Sequence, residues 1–301
     1  MKKVIVIIGP TSVGKTAMGV ALAKQINGEV ISGDSMQIYR HCDIGTAKVT
    51  KQEMDGVIHH LIDIKDPFES YSVVEFQKNV RLLIDEITCR NHIPIIVGGT
   101  GLYIKAALYD YHFSEEKNDR SVMIQKYDNY TNEQLFDWLM QIDPVSAKIL
   151  HPNNRQRVLR AIEIFETTGK TKSESLDEQQ HICLYDAKFI GLTLDRPILY
   201  DRINQRVDLM LENGLYEELL KLKELGLSIN QQSMQAIGYK EWFDYFEGKY
   251  AIEEVIEKIK KNSRNYAKRQ YTFFKNQLEV RWFDVDLNDF KNTINEVLKA
   301  I

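Results

Sequence analysis

Val4-Ile5-Val6-Ile7-Ile8-Gly9-Pro10-Thr11-Ser12-Val13-Gly14-Lys15-Thr16 is the stretch from which the fold can be read. Five consecutive β-branched residues suit a strand buried on both faces, the situation of a central parallel strand. Gly9 to Thr16 then fits G-x-x-x-x-G-K-[ST], and Ala17 to Gln25 reads as a helix. A phosphate anion needs this order of parts. Glycines let backbone N–H groups turn inward, and the helix N-terminus adds positive potential. Lys15 supplies a point charge and Thr16 a hydroxyl for Mg²⁺. The pattern implies a di- or triphosphate ligand without saying that it is ATP.

Outward from this loop the same alternation repeats. Glu29 to Ser32 is a short strand ending at Gly33-Asp34-Ser35. Tyr71 to Arg90 has helical spacing through Val74, Phe76, Val80, Leu83, Ile84 and Ile87. Ile93 to Val97 is another buried strand, ending at Gly98-Gly99-Thr100-Gly101. Strand, loop and helix in turn predict an α/β fold, a P-loop NTPase-like parallel sheet core. From about 113 to 182 the strand signal disappears, and Asn132 to Gln141 and Arg155 to Glu166 read as helices. Phe189 to Leu194 resumes the core. We therefore expect a core of 1–112 and 183–301 with a helical insertion domain at 113–182. Ile198 to Leu211, Leu215 to Leu225 and Ala251 to Lys275 read as later helices, and Val280 to Phe283 as a last strand.

Leu82-Leu83-Ile84-Asp85-Glu86 imitates the acidic strand of an ATPase. It lies inside the helical spacing that starts at Val74, so Asp85 and Glu86 belong to the outer face of a helix. The strand Ile93 to Val97 ends in glycines and offers no carboxylate.

Composition narrows the rest. With 301 residues, 44% hydrophobic and 27% charged, the chain is long enough for a large core and ordinary for a globular protein. A net charge of −4 excludes a globally basic nucleic-acid binder, so any such surface must be local. Cys42, Cys89 and Cys183 form no CxxC pair, which excludes a zinc finger and a disulfide framework. No apolar run is long enough to cross a bilayer, and the expectation is a cytoplasmic monomer with no membrane partner.

Two sites beyond the loop carry candidate chemistry. Asp34 ends the second strand, and in an open α/β sheet strand C-termini face the ligand crevice. Position alone leaves two readings for it: a base acting on an incoming nucleophile, or a helix N-cap. Gly98 to Gly101 end a core strand, where glycines permit close approach of a ligand and Thr100 offers a hydroxyl. The alternative there is a tight strand-to-helix turn. His59 and His60 carry imidazoles, but a lone pair beside a strand suits a structural role.

Lys258, Lys260, Lys261, Arg264, Lys268, Arg269 and Lys275 lie in one helix without Asp or Glu between Lys258 and Lys275. Tyr266, Tyr271, Phe273 and Phe274 are interleaved. Such a stripe suits phosphate contact and base stacking. It also suits a solvated helix face with aromatics in the core. Arg155, Arg157 and Arg160 form a second basic stripe beside Gln156.

At these segments the chain resembles the tRNA dimethylallyltransferase (isopentenyltransferase) family over nearly its whole length. The matching segments are GPTSVGKT (9–16), DSMQIYR (34–40), DIGTAK (43–48), HHLID (59–63), VGGTGLY (97–103), NNRQRVLRAIEIFETTGK (153–170), RINQRVDLML (202–211), GLYEE (214–218), QAIGYKE (235–241) and YAKRQYTFFK (266–275). A P-loop alone is generic, whereas the ordered set is specific. The loop reads TSVGKT where TASGKT is common, and Lys275 stands where Arg is frequent. Eukaryotic relatives carry a C-terminal zinc finger that this sequence lacks, so the likeness is to the bacterial form.

The resemblance implies prenyl transfer without phosphoryl chemistry. Gly9, Pro10, Thr11, Ser12, Val13, Gly14, Lys15 and Thr16 would hold dimethylallyl diphosphate with Mg²⁺. The amine N6 of the adenosine at position 37, on the 3′ side of the anticodon of tRNA, would attack C1 of the prenyl group. Asp34 would be general base, Lys15 and Arg206 would bind the pyrophosphate, and Thr100 would position the reacting groups. Contacts to the tRNA anticodon stem-loop would come from Asp34, Ser35, Met36 and Gln37. Gln156, Arg157, Val158, Leu159 and Arg160 would add to these, as would Gln235, Ala236, Ile237, Gly238, Tyr239 and Lys240. The last set is Lys268, Arg269, Gln270, Tyr271, Thr272, Phe273, Phe274 and Lys275. Competing readings from the residues are a P-loop small-molecule or nucleotide kinase and a non-catalytic RNA-binding module. Prenyl transfer should release pyrophosphate without ATP, which separates it from both.

Overall fold

The structure, a computed structural model, describes residues 1–111, 113, 126–177 and 181–301. The expected insertion boundary at 112 and the stretches 114–125 and 178–180 lie outside the described residues. In chain order the elements are β1 (Lys3–Ile8), α1 (Lys15–Ile26), β2 (Gly28–Gly33), α2 (Lys51–Met54), β3 (His59–His60), α3 (Val73–Cys89), β4 (Ile93–Gly98), α4 (Gly101–Leu108), α5 (Asn132–Ile142), α6 (Pro144–Ile149), α7 (Arg155–Thr168), α8 (Lys172–Asp177), β5 (Asp186–Thr193), α9 (Arg196–Glu212), α10 (Leu215–Glu224), α11 (Glu241–Phe246), α12 (Ile252–Gln277), β6 (Arg281–Asp284) and α13 (Phe290–Leu298).

Internal contacts divide the chain into two compact units. One is Met1–Tyr109 with Cys183–Ile301, and the other is Asp110–Ile182. The larger unit holds one parallel sheet in the order β3-β2-β4-β1-β5-β6. Val4 to Ile8 are fully buried because β1 lies between β4 and β5 and is covered on both faces. Alternation along the strand sends Val4, Val6 and Ile8 into one hydrophobic cluster and Ile5 and Ile7 into another. Each such side chain contributes roughly 1.5–3 kcal/mol through burial.

Register positions the site. Ile8 on β1 pairs with Gly98 on β4, and Gly98 pairs with Gly33 on β2. The three strands therefore end level, and the segments beginning at Gly9, Asp34 and Gly99 emerge side by side at one edge of the sheet.

The acidic decoy is settled by α3, a continuous helix from Val73 to Cys89 with a Ser72–Glu75 capping box. Asp85 and Glu86 are exposed on it, and Asp85 pairs with Lys2 at 2.5 Å. The two-residue strand β3 was not expected from the sequence. It is too short to show a period, and only its pairing with Val30 and Ile31 defines it.

The histidines have partners at the start of β2. Glu29 is buried and accepts hydrogen bonds from Arg90 (3.1 and 2.8 Å), while His60 Nε2 lies 2.6 Å and His92 Nδ1 2.7 Å from its oxygens. Burial pushes this carboxyl up, but the bonds from Arg90, His60 and His92 overrule it and hold it near about 2. His59 Nδ1 lies 2.9 Å from the carbonyl of Val57. Among the described residues no cluster of three or more His, Cys, Asp or Glu suits a metal ion, and no helix is long and apolar enough to cross a membrane.

The smaller unit has its own core of Tyr127, Leu135, Leu139, Ala147, Val158, Ala161 and Ile162. Asp143 caps α6 by accepting the Ser146 N–H at 3.0 Å, and it also holds Ser173 N and Oγ at 3.1 and 2.7 Å.

Candidate active site

The loop after β1 is shaped by left-handed turns at Ser12 (φ 65) and Gly14 (φ 102). Gly14 caps α1 without any side-chain hydrogen bond, and no acidic residue occupies the first turn of that helix. Its positive end is therefore uncompensated by protein, the condition for holding an anion. The Ser12 hydroxyl is buried with no hydrogen-bond partner, an unusual state for a polar group that a phosphate oxygen would relieve.

Two arginines from α9 grip this loop. Arg206 Nη1 donates to Thr11 Oγ1 at 2.8 Å, and Arg202 Nε donates to the Ser12 carbonyl at 3.0 Å. They are four residues apart and so share one helix face. Lys15 Nζ donates to the carbonyl of Pro10 at 2.6 Å. Burial, with the nearby Arg206 charge, pushes the Lys15 ammonium down to about 7, and Asp34 opposes the shift. Burial also lowers Arg206, again opposed by Asp34. Two cations are thus enclosed beside an amide nest; Asp34 acts on both, and Glu53 adds to its effect on Arg206.

That carboxylate does not cap a helix. The residues after Asp34 form bends and turns, and Asp34 Oδ1 accepts the Met36 N–H at 2.8 Å. Thr100 Oγ1 accepts the Ser35 N–H at 3.2 Å and lies 3.4 Å from Ser35 Oγ. Tyr266 completes the group. Burial, with the Asp34 charge, pushes its hydroxyl up to about 12, and nearby Thr100 and Gln270 oppose the shift.

Two glycines at the end of β4 pack closely on α12. A methyl group at Gly99 would lie 2.0 Å from Gln270 Nε2, and one at Gly101 would lie 2.2 Å from the Phe273 ring. At these two positions the missing Cβ makes room for side chains of α12. Gln270 is buried and ties two site segments together. Its Oε1 accepts the Thr11 N–H at 2.9 Å and its Nε2 donates to the Gly99 carbonyl at 3.1 Å.

The residues expected at an RNA surface divide by burial. On α12, Lys268, Arg269, Thr272 and Lys275 are exposed, whereas Phe274 is fully buried and Phe273 packs on Gly101. Tyr271 bonds to Thr193 and accepts the Leu194 N–H at 3.3 Å. Three further cations of the stripe are spent within the protein. Lys258 pairs with Asp244 at 2.7 Å, Lys260 with Asp208 at 2.7 Å, and Arg264 bonds to Asn204. The basic surface is therefore narrower than the sequence run.

In the segment 235–240, Gln235 is exposed and bonds to the Ile229 carbonyl, Ile237 and Lys240 are half-buried, and Ala236 and Tyr239 are core. Gly238 N donates to Glu241 Oε2 at 2.9 Å. Within the smaller unit, Gln156 and Arg157 are exposed, Leu159 is half-buried and Val158 is core. Arg160 bonds to Glu163 at 2.9 Å, and Arg155 is held by the carbonyls of Tyr130 and Tyr127 at 2.7 and 2.6 Å. Sequence reasoning missed Arg202 and Tyr266. The four-residue spacing of Arg202 to Arg206 was a visible signal for the first. Tyr266 stood in the basic-aromatic stripe, but its place beside Asp34 and Thr100 could not be read, because those residues come from the loops after β2 and β4.

Comparison with known proteins shows the family. Residues 37–277 match the family described as IPP transferase. The chain is 52% identical over 301 residues to a tRNA dimethylallyltransferase of Anoxybacillus flavithermus, covering 100% of this chain and 96% of that one. It is 56% identical over 288 residues to one from Bacillus cytotoxicus, covering 94% and 90%. A solved tRNA isopentenylpyrophosphate transferase from Bacillus halodurans superposes with TM-score 0.75 at 48% identity, covering 99% of this chain and 96% of that one. A eukaryotic dimethylallyltransferase solved acting on tRNA gives TM-score 0.85 at 33% identity, covering 100% and 78%. The chain belongs to the tRNA dimethylallyltransferase family.

Proposed function

We propose that this chain transfers a dimethylallyl group from dimethylallyl diphosphate to N6 of the adenosine 3′ of the anticodon in tRNA, releasing pyrophosphate. One observation carries the reading. A single carboxylate, Asp34, is electrostatically coupled to the P-loop lysine, to Arg206 and to Tyr266, while the nest beside it holds an orphaned buried hydroxyl. That is one base facing one anion site.

Chemistry assigns the roles. An aromatic amine is a poor nucleophile, so Asp34 taking its proton as the C–N bond forms supports the rate by roughly 10²–10⁴. As the allylic C–O bond breaks, charge gathers on the diphosphate. Lys15, Arg206 and the amides at the head of α1 stabilise it there. Arg202 fixes the loop through Ser12, and Thr100 with Ser35 sets the backbone next to the base. The target base leaves its stack to reach the crevice.

The residues fit Mg²⁺ as an ion that arrives with the diphosphate. Thr16 is exposed at the head of α1, and among the described residues no protein cluster would hold the ion alone. Such an ion keeps water and phosphate oxygens and takes few protein ligands. When bound, it would neutralise charge on the leaving group, with Thr16 as its protein oxygen.

Lys268, Arg269 and Lys275 on α12, and separately Gln156 and Arg157 on α7, supply the exposed polar and basic groups for the anticodon stem-loop. The decisive assay mixes purified protein with dimethylallyl diphosphate, Mg²⁺ and unmodified tRNA. Pyrophosphate and prenylated adenosine should form in equal amounts without ATP. A requirement for ATP, or release that ignores tRNA, contradicts the reading.

A further inference from the structure

Glu218 on α10, the last residue of the segment GLYEE, has been given no role so far. Its carboxylate accepts four hydrogen bonds: Asp43 N at 2.9 Å and Ile44 N at 2.8 Å on Oε2, and Gly45 N at 3.0 Å and Tyr239 OH at 2.6 Å on Oε1. Three successive backbone amides converging on one side chain form a nest that needs a full negative charge to fill it. Gly45 lies so close on the Tyr239 ring that a methyl group there would meet it at 2.2 Å.

The turn held this way is closed by its own bonds. Ala47 N donates to the Ile44 carbonyl and Lys48 N to the Asp43 carbonyl, both at 2.9 Å. Thr46 Oγ1 donates to the Cys42 carbonyl at 2.6 Å. The far side of the turn then accepts the carboxamide of Gln37, whose Nε2 donates to Ala47 O at 3.1 Å and Thr46 O at 3.5 Å. With the nitrogen committed to two carbonyls, the amide cannot flip without facing oxygen to oxygen. Oε1 has no hydrogen-bond partner among the described residues, and it can accept a hydrogen bond but not donate one. Gln37 lies three residues after Asp34 in the same loop.

We propose that Glu218 is a positioning residue for the target base: it builds the turn 43–47 that locks the Gln37 carboxamide with its acceptor presented to an amine-bearing base. This rests on the reading of the Asp34 loop as the place where the base is received. The consequence is selectivity. A locked acceptor favours adenine, which carries an exocyclic amine, over a base with a carbonyl at the same place.

The test is a double-mutant cycle on the full chain with Glu218→Gln, Gln37→Ala and the pair. Single-turnover prenylation of tRNA is read at saturating tRNA, and binding of dimethylallyl diphosphate is measured separately. Glu218→Gln replaces a charged acceptor by an amide whose NH₂ group faces donors, so the rate should fall about 10- to 100-fold. Diphosphate affinity should stay within about 2-fold, because Glu218 touches no P-loop residue. The double variant should be no slower than the slower single variant, since both remove the same lock. Tyr239→Phe, which deletes one of the four bonds, should give a smaller loss of the same kind and keeps the test open if Glu218→Gln folds poorly. Multiplicative losses in the double variant, or parallel loss of diphosphate affinity and rate, would overturn the proposal. If the wild-type chain itself fails to prenylate tRNA, the functional reading fails first, and that outcome is distinct from a Glu218 variant that matches the wild type.

Discussion

Binding of the diphosphate should pull a proton onto Lys15. In the ligand-free protein its ammonium is held down to about 7, first by burial and then by Arg206. At pH 8 only about one molecule in ten is then charged at this position. A diphosphate placed in the nest adds two or more negative charges within a few ångströms, and the charged form becomes strongly favoured. Binding at pH 8 should therefore take up about 0.9 proton. The ligand itself is fully ionised at that pH, since phosphate groups of this kind titrate near about 6. At pH 6 the lysine is already charged and the ligand is partly protonated, so the sign reverses and protons are released. Affinity should weaken by up to about tenfold per pH unit above pH 7, until the pKa of the bound state is reached. Calorimetry in buffers of different ionisation enthalpy measures the proton count directly, with Lys15→Met as the control. No uptake at pH 8, or uptake that survives in Lys15→Met, would refute the reasoning.

Three further outcomes follow from the same geometry. Asp34→Ala should retain tRNA binding in a filter or mobility assay while single-turnover rate falls by roughly 10²-fold or more; equal loss of both would make Asp34 structural. Lys268→Ala with Arg269→Ala should weaken tRNA binding and reduce the slope of log K against log salt by about one for each phosphate left unneutralised, and an unchanged slope would remove α12 from the RNA surface. Glu29→Gln should cost about 2–3 kcal/mol in denaturant unfolding near neutral pH, because Arg90, His60 and His92 lose a shared buried acceptor. Since the folded carboxyl sits near about 2, below its unfolded value of 4.5, its contribution is complete above about pH 4.5 and fades as pH falls towards 2, where variant and wild type should converge.

What was legible in the sequence was what neighbours in sequence determine. The run Val4 to Ile8, the loop that follows and the spacing of α3 are local patterns, and the structure has each where the pattern places it. The ends of long helices moved by one or two residues, the usual fraying of boundaries. What could not be read depends on distant partners. Lys258 and Lys260 look like a phosphate-seeking run until Asp244 and Asp208 are brought beside them. That Gly99 and Gly101 also make room for Gln270 and Phe273 is visible only once α12 is packed against them. The segments 156–160, 235–240 and 268–275 are contiguous in sequence, yet a helix or turn can expose only part of each. Val158, Tyr239 and Phe274 consequently face the core. Tyr266 and Glu218 lie in segments the sequence singles out, but their particular partners arise from the loops against which they are folded.

The central claim is that a carboxylate opposite a diphosphate nest receives the attacking amine. It is tested most directly by a crystal structure of the complex with unmodified tRNA and a non-reactive thio analogue of dimethylallyl diphosphate. The account predicts the analogue's phosphates on the amides of the loop Gly9 to Thr16, and an Asp34 oxygen about 2.6–3.2 Å from the adenine N6. An adenine amine held beyond hydrogen-bond reach of Asp34, or a diphosphate seated away from Lys15 and Arg206, would contradict it.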